Sequence, residues 1–248
     1  MRVGVNLLWL VPGEVGGSET WATGLLRHLA DHPPGPEVVV FASPALLAAH
    51  PWLDAFTVVR APGGTSRPKR VLAEATWLAW AARRARVDVL HHPGGTVPLL
   101  RWTPSVLTIH DLQPLAMPEH FSARKLAYLR RRLGPSVRAA RVTTGVSEFT
   151  RADVVARLGV ADDRTAVTPP AVDPAPAVAD VDVRAALRLD RPWLVFPAIT
   201  YPHKDHATLV RALAELPDLL LVLTGGAGRR ACGPRSAPAW RGAGGRGS

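Results

Sequence analysis

Three short clusters in this chain have residue types and spacing suited to chemistry. His203, Lys204 and His206 follow the apolar run Trp193 to Ile199. That order aims cationic side chains at the start of a helix, where unpaired backbone N–H groups and the helix dipole favour an anion such as phosphate. His110 and Asp111 end the run Leu107-Thr-Ile-His-Asp111, at the carboxyl end of a strand, where open α/β sheets keep their ligands. Side chains alternate along a strand, so the two diverge rather than forming an acid–base dyad. His110 suits hydrogen bonding to a sugar hydroxyl, or sharing of developing charge. Gly16 and Gly17, within Val11-Pro-Gly-Glu-Val-Gly-Gly-Ser-Glu-Thr20, let a backbone approach a ligand with no Cβ in the way. Their spacing is not GxGxxG, so a nicotinamide cofactor is not indicated. Each cluster has a plainer alternative: an exposed basic turn, a buried structural histidine, and a turn with Ser18 as helix N-cap.

Further polar residues fall on the same rim. In Val146-Ser-Glu-Phe-Thr-Arg151, Ser147 reads as an N-cap with Thr150 in the first turn, and capping alone explains both. His91 and His92 precede Pro93-Gly-Gly95. As neighbours on an extended strand they point to opposite sides, and no His-x-x-x-His helix or carboxylate partner accompanies them, so no metal is expected. The basic helix with Arg124, Lys125, Arg130, Arg131, Arg132 and Arg138 is either a solvated face or a contact to a membrane presenting a lipid-linked acceptor.

Positioning these groups requires alternating strands and helices. Arg2 to Leu10, Glu37 to Ala42, Phe56 to Arg60, Val87 to His91, Ser105 to His110, Val142 to Val146 and Ala166 to Thr168 read as strands. Ser18 to Ala30, Arg70 to Arg86, Ala123 to Ala140 and Glu148 to Leu158 read as helices. The alternation predicts a parallel sheet covered on both faces, a Rossmann-like domain over 1–170. Residues 171–191, rich in Pro, Ala and Asp, read as a stiff linker. The pattern restarts over 192–224 with Trp193 to Ile199, a helix from about Asp205, and Leu219 to Thr224, the opening of a second Rossmann-like domain.

Composition narrows the classes. The 248 residues are 47% apolar and 20% charged, an ordinary globular balance. The formal charge of +10 comes from 27 arginines and three lysines against 20 acids. Five of those arginines lie after residue 224, where no acid occurs, so residues 1–224 carry only +5. No basic run has interleaved aromatics, and nucleic acid is not an expected partner. The single cysteine, Cys232, has no partner for a disulfide or a zinc site, which fits a reducing compartment. No apolar run has the length to span a bilayer. A cytoplasmic protein, at most peripheral at the inner face of the membrane, is expected. Residues 225–248 include 20 Gly, Ala, Arg or Pro and no Leu, Ile, Val or Phe, a composition that cannot build a core and reads as a disordered tail. It matches GC-rich codons translated out of frame. The second domain is therefore expected to be incomplete.

Gly16-Gly17-Ser18-Glu19, Thr108-Ile-His-Asp111, Val146-Ser-Glu-Phe-Thr150 and Pro202-His-Lys-Asp-His206 occur in that order. Together they resemble the retaining nucleotide-sugar glycosyltransferases of family 4, which have the two-lobed GT-B fold. The resemblance implies a nucleoside diphosphate sugar as donor, a carbohydrate or lipid-linked acceptor, and no metal or other cofactor. It implies that His110, with Asp111 beside it, serves the catalytic centre, and that Gly16, Gly17, His203 and Lys204 bind donor and phosphate. Glu19, Ser147 and Thr150 would lie on the substrate rim. Two departures bear on activity. Ala198, Ile199 and Thr200 stand where many relatives carry an arginine before the lysine, and the family's Glu-x7-Glu segment is absent from this sequence. A glycosyltransferase is expected, with the truncated donor-binding lobe able to leave it inactive. The alternative is a non-catalytic protein binding a nucleotide or anion.

Overall fold

The computed structural model describes residues 1–14, 16–32, 35–62, 66–171 and 183–225. Most of the expected linker and nearly all of the expected tail, with Cys232, lie outside these residues.

The chain divides into two compact units, Met1–Pro118 with Ser122–Ala175, and Glu119–Phe121 with Pro176–Ser248. In the first, seven strands form one sheet: β1 Arg2–Asn6, β2 Glu37–Ala42, β3 Thr57–Arg60, β4 Val89–His92, β5 Ser105–Ile109, β6 Val142–Gly145 and β7 Thr165–Val167, in the order β3-β2-β1-β4-β5-β6-β7. All pairings are parallel. Parallel strands need crossovers, and helices supply most of them: α1 Gly17–Asp31, α2 Pro44–Ala49, α3 Arg67–Ala75, α4 Trp77–Arg84, α5 Gln113–Ala116, α6 Ala123–Ala139 and α7 Glu148–Leu158.

The two-residue period of β2 explains how both sheet faces are buried. Val38, Val40 and Ala42 pack with Ala22 and Leu26 of α1 and Leu46 of α2. Val39 and Phe41, pointing the other way, pack with Ala73 of α3 and Leu78, Ala81 and Ala82 of α4. A third cluster joins Leu107 and Ile109 of β5 to Leu133 and Val137 of α6 and Val154 of α7. Each buried leucine contributes roughly 1.5–3 kcal/mol against exposure.

Several elements differ from expectation. The helix read over Arg70 to Arg86 is two helices, because Thr76 leaves helical geometry (φ −124°, ψ −62°). Its hydroxyl and its N–H both donate to the Leu72 carbonyl, at 2.8 and 3.1 Å. β1 stops at Asn6 rather than Leu10, since the Asn6 side-chain oxygen accepts from Leu8 N–H at 3.1 Å and turns the chain. Helix α2, not anticipated, has a Ser43 N-cap that accepts from Leu46 N–H, with Pro44 at its first position.

In the second unit, β8 Trp193–Pro197 pairs in parallel with β9 Leu220–Thr224, and α9 His206–Leu213 lies between them in sequence. A single helical turn, α8 Val183–Ala186, falls inside the stretch read as linker. Among the described residues no helix is long and apolar enough to cross a membrane.

Candidate functional site

Strand order in the first unit runs outward from β1 through β2 to β3, then resumes on β1's other side with β4. The crossovers leave a crevice outside the carboxyl ends of β1 and β4, the position where open α/β sheets bind ligands. Asn6 ends β1, His91 and His92 end β4, and His110 follows β5, so these four lie at the carboxyl ends of the strands.

His110 follows β5 directly, and its ring and main chain are both anchored. Nε2 lies 3.0 Å from the Pro93 carbonyl oxygen. That oxygen can only accept, so Nε2 carries the proton and Nδ1 presents a lone pair that no described residue engages. The Trp21 ring of α1 stands edge-on to His110 at 5.4 Å and 84°, and to His91 at 6.0 Å and 78°. Trp21 is itself fixed by its indole N–H donating to the Thr168 carbonyl at 3.3 Å. Thr150 Oγ1 donates to the His110 carbonyl at 3.4 Å. Burial holds the His110 pKa below its ordinary value, while the Pro93 hydrogen bond and the Asp111 charge partly oppose that. The ring is therefore neutral at pH 7, able to accept from a hydroxyl and to take up a proton.

Asp111 turns away into solvent, where its Oδ1 accepts from Gln113 N–H at 3.0 Å. It bears on His110 through charge.

His91 and His92 sit on opposite faces of β4. His91 Nε2 is 2.8 Å from Thr108 Oγ1, which is 2.9 Å from Thr144 Oγ1. His92 Nδ1 is 3.2 Å from Asn6 Nδ2, and its Nε2 is 3.4 Å from Ser105 Oγ. Burial lowers the His91 pKa to about 4, helped by His110, and the His92 pKa to about 3, helped by His91. Beyond Asn6 lies Glu74 of α3, whose Oε1 accepts from Asn6 Nδ2 at 2.7 Å. Desolvation raises the Glu74 pKa, against the Asn6 hydrogen bond and the charges of Arg132 and Arg70.

The glycine loop enters α1 through Gly16, which caps the helix at φ 69° with no side-chain hydrogen bond. Ser18, the expected cap, lies inside the first turn instead. A positive φ is open to glycine at little cost, and it leaves the helix start bare of side chains. Gly17 opens the helix with open space where a Cβ would stand. Glu19 supports this loop from below: Oε2 accepts from Gly13 N–H at 2.9 Å, and Oε1 is 3.1 Å from His50 Nε2.

Ser147 caps α7, its Oγ accepting from Thr150 N–H at 3.1 Å. Thr150 is buried and committed to internal hydrogen bonds.

In the second unit, Pro202–Lys204 form a 3-10 turn whose Lys204 N–H donates to the Tyr201 carbonyl at 3.0 Å. The His203 ring stacks on Tyr201 at 5.6 Å, and Lys204 is exposed. His206 does not join them: it is buried, edge-on to Phe196 at 5.0 Å. The α9 N-terminus already holds a carboxylate, because Asp205 accepts from Thr208 N–H at 3.2 Å. An anion there would meet Lys204 rather than a bare helix end.

Sequence reasoning missed Trp21 and Pro93 as parts of this arrangement. Trp21 had a signal, since helical spacing turns it toward the sheet. The Pro93 carbonyl had none, because main-chain acceptors are invisible in residue types. Among the described residues no group of three His, Cys, Asp or Glu side chains is placed to hold a metal ion.

No curated protein sequence matches the chain. The solved structure of Anabaena Alr3699/HepE, in complex with UDP and glucose, superposes with a TM-score of 0.64 at 18% identity, covering 92% of this chain and 61% of that one. S. aureus MnaA, solved with UDP, gives 0.52 at 13% identity over 90% and 61%. A UDP-N-acetylglucosamine 2-epimerase-like protein from Listeria monocytogenes gives 0.54 at 13% over 90% and 61%. The chain thus spans about three fifths of the length of these structures, and at such identities the likeness establishes an α/β fold of the GT-B type. The sequence profile of Glycosyltransferase Family 4 matches residues 15–176, which include the glycine loop, His110 and the α7 cap. Since that match takes in well over half of the 248 residues, the chain belongs to Glycosyltransferase Family 4.

Proposed function

We propose that this chain transfers a sugar from a nucleoside diphosphate sugar to a carbohydrate or lipid-linked acceptor, with retention at the anomeric carbon and without a metal. The observation that carries the reading is His110, a neutral imidazole at the carboxyl edge of β5 with Nδ1 open as an acceptor. In this reading Nδ1 accepts from a hydroxyl of the transferred sugar. The uncapped turn at Gly16 and Gly17 gives that sugar close approach to backbone, and Lys204 supplies charge to the departing diphosphate. Family membership supports transfer, and the UDP bound in the HepE and MnaA structures supports a nucleotide-linked donor. The working place is the cytoplasm, including the inner face of its membrane.

The test is to incubate the protein with UDP-, GDP- and ADP-linked sugars and measure nucleoside diphosphate release. Release that disappears in His110→Ala and weakens in Lys204→Ala supports the proposal. Tight nucleotide binding with no release from any donor would assign the chain to non-catalytic nucleotide binding instead.

A further inference from the structure

We propose that the outer flank of α4 and the loop following β4 form a docking face for a bilayer surface that contains anionic lipid. Soluble surfaces do not ordinarily cluster large apolar side chains. Here Trp80 of α4 is 52% exposed, and Leu99 and Trp102 of the loop are 71% and 54% exposed. The loop lies against the helix: Leu100, Arg101 and Trp102 line a small hollow together with the buried Leu78, Ala79 and Ala82 of α4. On the loop's other side Arg101 and Trp102 share an open depression with Arg141.

The charge carried by these segments is mainly positive. Arg83 and Arg84 end α4, and the Arg84 guanidinium carbon lies 5.6 Å from the Trp80 ring centroid. Between Ala75 and His110 the sequence contains a single carboxylate, Asp88, and its Oδ2 is occupied by the Arg2 main-chain N–H at 2.7 Å. Tryptophan beside arginine suits the headgroup boundary, where the ring is half-buried and the guanidinium reaches phosphate. A second copy of this chain fits poorly, because a two-fold contact would set the arginine rim against itself. Helix α6, the basic helix singled out from sequence, makes the contrast. Its cationic face includes no exposed large apolar residue, so it can attract a surface without inserting into one.

None of Trp80, Leu99, Arg101 and Trp102 is among the residues placed around His110. The inference does not rest on transfer activity, because vesicle binding is read without any donor.

The experiment is sedimentation of the full chain with phosphatidylglycerol-containing vesicles and with pure phosphatidylcholine vesicles, alongside size-exclusion chromatography with light scattering. The expected result is cosedimentation with the anionic vesicles alone, weakened by salt. Trp80→Ser with Trp102→Ser lowers the partition coefficient about tenfold or more, and Arg83→Ser, Arg84→Ser and Arg101→Ser each lower it roughly fivefold. Arg130→Ser with Arg131→Ser on α6 is the comparison and changes it by less than any of these. Far-UV circular dichroism verifies that each variant is folded. No cosedimentation, or cosedimentation unchanged in the folded tryptophan variant, overturns the proposal. So does a wild-type dimer that the tryptophan substitutions convert to monomer, which would assign the face to a second copy.

Discussion

The Nε2 atom of His110 lies 3.0 Å from the main-chain oxygen of Pro93, and that contact decides which face of the imidazole is left for a ligand. With the proton on Nε2, Nδ1 is an acceptor, and protonating it would abolish acceptance. Because burial lowers the His110 pKa from 6.5, activity that needs the neutral ring holds through pH 7 and falls on acidification below 6.5. A kcat/KM profile against pH should show that acid limb. Asparagine can place an acceptor near the Nδ1 position, whereas glutamine reaches the Nε2 position. His110→Asn should therefore retain more activity than His110→Gln. The reverse order would mean that Nε2 faces the substrate.

Acid should also unfold the first unit, through His91 and His92. Their folded-state pKa values are lowered to about 4 and about 3, so between those values and 6.5 the unfolded chain binds more protons than the folded one. Stability is then complete above pH 6.5, declines as pH falls toward about 4 for His91 and about 3 for His92, and levels off below both. Each unit of lowering corresponds to about 1.4 kcal/mol, so the pair amounts to several kcal/mol, a large part of an ordinary domain's 5–15 kcal/mol. Urea midpoints measured across this range should drop steadily. His92→Gln should be less stable at neutral pH yet have a shallower acid decline, and an unchanged slope would contradict the role given to His92.

The sheet was legible because parallel strands buried on both faces leave unbroken apolar runs, such as Val38 to Phe41. The placement of His110 was legible for the same reason, since a strand's carboxyl end can be read from where its apolar run stops. Thr76 was not legible, because a threonine inside a helical pattern signals a break only once its hydroxyl has found a carbonyl. His206 shows the other limit. Beside Lys204 it looks like a second cation, but as the first residue of α9 it turns under the helix onto Phe196. Glu19 matches the family pattern, yet its loop-holding role depends on Gly13 and His50, residues brought to it by the fold.

Gly94 tests how tightly the crevice floor is built. A Cβ at this position would stand 2.4 Å from Trp9 Cγ and 2.6 Å from Cδ1, too close for the ring to remain in place. Trp9 is not free to yield cheaply: its indole N–H donates to the Asn6 carbonyl at 3.0 Å, and its own carbonyl accepts from Arg70 at 3.0 Å. Gly94→Ala should therefore destabilise the first unit by about 1–3 kcal/mol, as overpacked cores do, lowering Tm by roughly 2–4 °C per kcal/mol. Near-UV circular dichroism should change as the ring shifts. A smaller side chain at residue 9 removes the clash, so Gly94→Ala with Trp9→Leu should be less unstable than the two single costs added together. Additive costs in this double-mutant cycle would show that the glycine and the ring are not in contact.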